Sequence, residues 1–275
     1  MASVAELLAA AQLPGDSSRL DVELLLSHCL QKPRSYLYAW PELELEAVQC
    51  AAFAQLLAAR RDGVPVAYLV GEREFWSLPL RVNQHTLIPR PETEILVEWA
   101  LQLDLPATAK VSDWGTGSGA IALALASERP DWNILAIDVS SEALAVAQDN
   151  ASLLSAAKLE FLQSDWGAGL VGREFDLLVS NPPYVAEADP HLALGDLRFE
   201  PAMALRSGID GLTALRRIVA DAPQYLCNGG WLLLEHGFEQ AADVRQLLQS
   251  AGFSALECRR DLAGADRISG GMWSD

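Results

Sequence analysis

Cysteine is scarce in this chain. Only Cys29, Cys50, Cys227 and Cys258 occur in 275 residues, without C-x-x-C spacing. That argues against a disulfide framework or a zinc knuckle, so no metal site is expected, and the thiols read as reduced packing residues of a cytoplasmic protein. Long apolar runs are missing too. No stretch approaches the roughly 18 apolar residues of a membrane span. The first apolar run carries Glu6 where a secretory leader would have a basic flank and a cleavage site, so neither secretion nor membrane insertion is expected. Positive charge is the third shortage: 20 Lys and Arg against 37 Asp and Glu give a formal net charge of −17. Residues 1–84 hold 7 basic and 10 acidic side chains, net −3, while residues 85–275 hold 13 and 27, net −14. Such a surface repels phosphate backbones and anionic headgroups, which sets a nucleic-acid substrate at a disadvantage.

What the chain does have is apolar content. With 51% hydrophobic and 21% charged residues it reads as a globular protein of one large or two modest domains rather than a disordered one. Residues 1–70 carry helical periodicity: Val4, Leu7, Leu8 and Ala11 share a face, Val22, Leu25, Leu26 and Cys29 share another within Asp21–Leu30, and Glu44–Arg60 repeats apolar residues at steps of three and four. Residues 73–83 alternate about Ser77–Pro79 as a short hairpin does, with Pro79 confining its strand to an edge. From about residue 87 short apolar runs alternate with longer helical stretches, which predicts a doubly wound parallel α/β domain. Its strands are expected at Lys110–Asp113, Ile134–Asp138, Leu159–Gln163, Phe175–Ser180 and Trp231–Glu235, with helices near 92–102, 119–128, 141–153, 211–226 and 238–250. Ser254–Arg259 and Arg267–Trp273 would add a terminal hairpin, weakened by glycines 270 and 271.

The stretch Val111-Ser-Asp-Trp-Gly-Thr-Gly-Ser-Gly-Ala-Ile ends a strand and opens a helix. Gly115, Gly117 and Gly119 let backbone approach a ligand where a Cβ would collide. Asp138 ends the next strand, 19 residues beyond Gly119, where a carboxylate can accept bonds from both hydroxyls of a ribose. Together these read as a site for an adenosine-type cofactor. Gly115-x-Gly117-x-x-Ala120 also satisfies a relaxed dinucleotide fingerprint. Asp113 tilts the choice, because a carboxylate there would repel a pyrophosphate and attract the ammonium and sulfonium charges of S-adenosyl-L-methionine. Asp165-Trp166 follows the third strand, where the carboxylate can bond an adenine amine and the indole can wall the base; the alternative is a surface loop with a core-facing tryptophan.

Phe175–Ser180 runs straight into Asn181-Pro182-Pro183-Tyr184 at the carboxyl end of the sheet. Two prolines force extended backbone there, and the Pro182 carbonyl is free to project into a pocket. A planar NH₂ group entering this loop could give one hydrogen to the Asn181 side-chain oxygen and one to the Pro182 carbonyl, with the Tyr184 ring against its plane. Amide nitrogen is a poor nucleophile because its lone pair is delocalised. Holding both protons on acceptors returns density to nitrogen and fixes an in-line approach to a methyl donor. His85, His191 and His236 stand in loops or at a strand end without partner spacing and read as surface or packing residues.

The whole chain resembles the protein-(glutamine-N5) methyltransferases that modify peptide chain release factors. The resemblance is carried by Tyr68-Leu-Val-Gly71, Glu74-Phe75-Trp76, Leu87-Ile-Pro-Arg-Pro-Glu-Thr-Glu94, Gly115-Thr-Gly-Ser-Gly119, Asn181-Pro-Pro-Tyr184 and Phe199-Glu-Pro201 with Ala204-Leu205. Trp114, in place of a smaller aliphatic residue, is a departure, and the tail Arg267–Asp275 is less typical. The resemblance implies a class I, Rossmann-like α/β methyltransferase domain with a seven-stranded, mostly parallel sheet over residues 87–275. A helical domain over 1–72, suited to substrate docking or to stabilising the fold, and a β-hairpin connector over 73–86 would precede it. It implies S-adenosyl-L-methionine as cofactor, held by Gly115, Thr116, Gly117, Ser118 and Gly119 at the methionine part, Asp138 at the ribose, Trp166 at the adenine and Asn181 at the methyl donor. Asn181, Pro182, Pro183 and Tyr184 would form the slot for the glutamine of a Gly-Gly-Gln motif, with Asn181, Pro182 and Tyr184 the catalytic set. Pro89-Arg90-Pro91 would be either a wall near the methionine end or a rigid helix start, with Glu92 and Glu94 complementing the dipole. Release factors are the expected partners, and neither nucleic acid nor membrane is. Two rivals stand beside this reading: an adenine-N6 DNA methyltransferase receiving a flipped base in the same loop, and a non-catalytic scaffold that binds the cofactor.

Overall fold

Alternate residues of the apolar runs between residues 110 and 235 belong to different hydrophobic cores, and this alternation makes the runs strands. The structure is a computed structural model that describes residues 2–13, 18–156 and 158–274. It divides into two units, Met1–Glu72 with Ala193–Phe199, and Arg73–Leu192 with Glu200–Asp275.

The first unit is helical: α1 (Val4–Ala10), α2 (Ser18–Leu30), α3 (Arg34–Ala39), α4 (Ala47–Arg61) and α5 (Val66–Val70). Ser3 and Glu6 close a capping box on α1, and Glu46 with Gln49 does the same on α4, which is why that helix starts later than its apolar pattern. The periodic residues form one core, including Val4, Leu8, Val22, Leu25, Leu26, Phe53 and Leu57. Buried Glu23 on α2 is held by Arg19, Arg34 and the Tyr38 hydroxyl. Arg60 bonds both Asp21 and Asp196, each at 2.8 Å, so a segment from far down the chain is tied into this unit.

The second unit opens with a hairpin, β1 (Glu72–Phe75) and β2 (Leu78–Arg81). Trp76 and Ser77 at its turn have φ of 53° and 60°, the positive values whose twist matches that of paired strands. A seven-stranded sheet follows: β3 (Lys110–Trp114), β4 (Asn133–Asp138), β5 (Leu159–Gln163), β6 (Phe175–Ser180), β7 (Leu226–Glu235), β8 (Ser254–Arg260) and β9 (Asp266–Met272). The order is β5-β4-β3-β6-β7-β9-β8. Its first five strands are parallel, and β9 runs antiparallel between β7 and β8. Helices α6 (Glu94–Gln102), α7 (Ala120–Glu128), α8 (Ser141–Leu153), α9 (Ala202–Leu205), α10 (Thr213–Asp221) and α11 (Ala241–Ser250) complete the unit. Val111, Ile134, Ala136, Leu177, Val179 and Leu233 enter one core with Trp99 and Leu123. Trp114, Leu135, Ile137, Leu178, Leu232 and Leu234 enter another with Leu215, Ile218 and Leu248. The doubly wound α/β architecture and the seven-stranded, mostly parallel sheet are therefore as expected from the sequence.

Three local readings change, one being the strand expected at Trp231–Glu235, which begins at Leu226. The expected helix at 211–226 stops at Asp221, and Pro223 sits in a 3-10 turn, Ala222–Gln224, where its ring cannot continue an α-helix. Gly270 and Gly271 do not weaken β9; it requires them. A Cβ on Gly270 would lie 2.5 Å from Leu233 Cδ2, and one on Gly271 would lie 2.6 Å from Leu256 Cδ2. The Trp114 substitution is accommodated by edge-on packing against Tyr225, with ring centroids 5.7 Å apart.

The hairpin is joined to the glycine turn by one fully buried amide. Asn150 on α8 accepts from Arg81 N–H (2.8 Å) and donates to the Arg81 and Ser118 carbonyls at 3.0 and 2.9 Å. Replacing Asn150 with alanine strands these groups and is expected to cost about 2–3 kcal/mol, read by urea unfolding; a loss below about 0.5 kcal/mol, the size of an inconsequential surface change, would show that the amide ties nothing together.

Candidate active site

In an open parallel sheet, a crevice forms where strand order reverses, because the connections leave in opposite directions. Here β3 leads outward to β4 and β5, and the chain returns to β6 on the other side of β3. The Ser180 hydroxyl at the end of β6 donates to the Trp114 carbonyl at the end of β3 (2.6 Å). The glycine turn and the Asn-Pro-Pro-Tyr loop start from these two paired strand ends, and this bond adds to the pairing that sets their spacing.

Gly115, Gly117 and Gly119 have φ of 75°, 58° and 84°, values L side chains rarely adopt. Their surroundings differ. A Cβ on Gly117 would meet nothing within 4 Å, and one on Gly115 would only touch the Trp166 ring, at 3.5 Å. A Cβ on Gly119 would lie 3.0 Å from Leu123 Cδ1 and 3.2 Å from Ala147 Cβ. Gly119 thus serves helix packing, while Gly115 and Gly117 line a cleft.

Asp138 lines that cleft and braces its floor. Its Oδ2 accepts from Gly117 N–H and its Oδ1 from Ser140 N–H, each at 2.9 Å. Burial raises its pKa, opposed by these backbone bonds. Each oxygen keeps lone-pair capacity for a further donor. Asp113 behaves differently from the sequence reading. It is fully buried and absent from the cleft wall; its Oδ2 takes the Thr116 hydroxyl (2.7 Å) and Ala122 N–H (3.3 Å). Burial pushes its carboxyl up to about 7. Any ligand in the cleft meets the turn Asp113 organises, not Asp113 itself.

Of the residues singled out from the sequence, Gly115, Thr116, Gly117, Ser118, Asp138, Asp165, Trp166, Asn181 and Pro183 come together on this one wall. Gly119, Pro182 and Tyr184 lie outside it. The Pro182 carbonyl takes no hydrogen bond among the described residues. The Tyr184 hydroxyl donates to Glu235 Oε1 (3.3 Å), and burial holds it well above the usual phenol range. Asn181 Nδ2–H donates to Thr93 Oγ1 (3.1 Å), and Asn181 Oδ1 is buried without a partner among the described residues. An unpaired buried acceptor is costly unless a ligand completes it.

Of the two roles expected for the Pro89-Arg90-Pro91 stretch, the rigid helix start is seen. Pro89 lines the cleft, and Pro91 opens a 3-10 turn, Pro91–Thr93, that leads into α6. Buried Glu200, next in sequence to Pro201, which also lines the cleft, clasps this stretch: it accepts from Ile88 N–H (3.0 Å) and pairs with Arg90. Among the histidines, His85 is exposed, as its surface reading expected, and borders the cleft. His236 is buried against Ser269 and Gly237, and burial lowers its pKa. Sequence reasoning passed over Glu200, Thr93 and Glu235. The first two lay inside quoted motifs, and Glu235 looked like the last residue of a strand.

Among known proteins, the PrmC N-terminal domain family matches residues 1–71 and the methyltransferase small domain family matches residues 91–208. The release factor glutamine methyltransferase of Shewanella oneidensis is 52% identical over 258 residues, 94% of this chain and 90% of that one. That of Pseudomonas aeruginosa is 50% identical over 275 residues, the full length of both. A methyltransferase from Pyrococcus furiosus shares the fold, with a TM-score of 0.55 at 17% identity, over 72% of this chain and 90% of that one. With half its residues identical to those relatives over nearly their whole length, the chain belongs to the release factor glutamine methyltransferase family.

Proposed function

We propose that this protein transfers the methyl group of S-adenosyl-L-methionine to the side-chain nitrogen N5 of the glutamine in the Gly-Gly-Gln motif of peptide chain release factors, tuning translation termination in the cytoplasm. The observation that carries this reading is Asn181 Oδ1, a buried acceptor without a partner among the described residues, on a residue that lines the cleft next to the unengaged Pro182 carbonyl. Two oxygens with free lone pairs on consecutive residues suit a group with two N–H bonds, which a primary amide has. The names of the relatives, release factor glutamine methyltransferase, support the same substrate.

The cleft suits the donor on its other side. Gly115, Gly117 and Ser118 present backbone where the methionine portion would lie, Asp138 would accept from the ribose hydroxyls, and Trp166 would wall the adenine. When bound, the donor supplies an electrophilic methyl group on a positively charged sulfur. The chain does the rest by placement. Asn181 Oδ1 and the Pro182 carbonyl take the two amide hydrogens, which turns the nitrogen lone pair toward the methyl carbon and strengthens it. Pro183 closes the slot against water, and Tyr184 supports it from behind. In this reading residues 1–72 form the docking arm for the release factor, residues 73–86 the connector and residues 87–275 the catalytic domain. Exposed Tyr38, Trp40 and Val48 offer the arm apolar contact surface.

The test is transfer of labelled methyl from the donor to a purified release factor, to the same factor with its Gly-Gly-Gln glutamine replaced by alanine, and to duplex DNA. Label is expected on the first alone, on the glutamine by peptide mass spectrometry; label on DNA instead would favour the adenine-N6 reading and end this one. Asn181→Ala is expected to lower kcat by about 10²–10³, with donor affinity, read by calorimetry, within a few-fold of the parent. Asp138→Ala should show the reverse emphasis. Loss of bonds to a charged acceptor, each worth about 1.5–3 kcal/mol, weakens donor binding by roughly 10-fold or more, and an unchanged Kd would remove Asp138 from the donor site.

A further inference from the structure

The Leu87–Glu94 stretch holds a side chain that the function above does not use. Thr93 is buried, lines the cleft, and stands between Asn181 and Glu235. Glu235, the last residue of β7, is also buried, and its two oxygens serve both ends of the Asn-Pro-Pro-Tyr loop. Oε2 accepts from the Thr93 hydroxyl (2.6 Å), which in turn accepts from Asn181 Nδ2–H (3.1 Å), while Oε1 accepts from the Tyr184 hydroxyl (3.3 Å).

The direction of these bonds has a consequence for Asn181. A carboxamide can sit in either of two flips that differ by exchanging oxygen and NH₂. A threonine hydroxyl has one proton. With that proton given to a carboxylate, only lone pairs remain on the side facing Asn181, and the NH₂ end must lie there. The oxygen is then forced to the opposite side, where it is unpartnered. We infer that Glu235, acting through Thr93, is a positioning residue that fixes the Asn181 carboxamide with its oxygen toward the substrate amide. This rests on the proposed methyl transfer to an amide nitrogen. The opposite flip would aim NH₂ at NH₂, two donors with no acceptor.

The groups facing Glu235 set how firmly this holds. Thr93 and Tyr184 donate to it, Arg267 on β9 favours its charge, and Glu92, in the turn before α6, opposes it. Burial outweighs these and pushes its carboxyl up to about 7. Below that pH a neutral Glu235 can itself donate to Thr93. The threonine proton is then free to turn to Asn181, and the correct flip loses its advantage. Activity and the flip should therefore both strengthen as pH rises from 6 to 8.

The test uses the full chain. On donor-free protein, the Asn181 side-chain NH₂ resonances are followed by nitrogen-15 NMR between pH 6 and 8. They are expected to shift with a midpoint near 7 in the parent and to stay put in Glu235→Gln, whose amide can accept from Thr93 at any pH. Resonances that do not move in the parent overturn the relay. In the release factor assay, Thr93→Val, which keeps the shape and removes the hydroxyl, is expected to lower kcat about tenfold, the worth of one lost hydrogen bond. The donor Kd should stay within twofold, and Thr93→Ser should recover most of the loss. A Thr93→Val protein with parental kcat overturns the inference while leaving the proposed reaction standing. A parent that labels no release factor overturns the reaction, and the resonances still decide the relay.

Discussion

Parallel pairing of β3 with β6 is the constraint on which the rest depends. It sets adjacent strand ends side by side at the reversal of strand order, and the Ser180 hydroxyl closes the gap on the Trp114 carbonyl. A glycine turn leaves one strand and a proline-braced loop leaves the other. Because both loops hang from the most buried part of the sheet, their relative position is as rigid as the core beneath them, which placement-based catalysis requires. The methyl transfer from a sulfonium proposed above asks for little acid–base chemistry, and in that reading the cleft would supply oriented acceptors rather than a nucleophile and base pair.

The fold was legible because burial on both faces writes itself into a strand as a continuous apolar run. Phe175–Ser180 comes out at the boundaries its run predicts, as do the edge strand Leu159–Gln163 and the helix Ser141–Leu153 from their own patterns. The site was legible where backbone chemistry dominates. Positive φ at Gly115 and Gly117, and an acid closing the next strand, leave marks that a single sequence preserves. What stayed hidden depends on partners distant in sequence. Glu200 meets Ile88 across 112 residues and Glu235 meets Thr93 across 142, and no local pattern announces such pairs. Asp113 misled for a related reason. Its place before the glycines suggested a ligand contact, yet strand alternation points it inward, where it caps the turn instead.

Buried carboxylates recur through the molecule. Glu23 organises the helical unit, Asp113 the glycine turn, Glu200 the stretch around Ile88 and Arg90 and Glu235 the loop after β6. Each accepts from two or more donors. Burying a carboxyl group is expensive unless hydrogen bonds compensate it, so each demands a specific arrangement of neighbours. Part of the acidic excess seen in composition is therefore internal and structural rather than a property of the surface alone.

The helical unit is discontinuous along the chain. Ala193–Phe199 leaves the second unit after the Asn-Pro-Pro-Tyr loop and belongs to the first, where Asp196 meets Arg60 and Arg198 donates to the Asp62 carbonyl. Any fragment cut after Glu72 would lose the anion that neutralises Arg60 from that side, along with the side chain packed over Gly63. Exchange of the first seventy residues between homologues, as a cassette, would carry over only part of the unit. A working chimera would have to transplant two non-adjacent pieces of chain together.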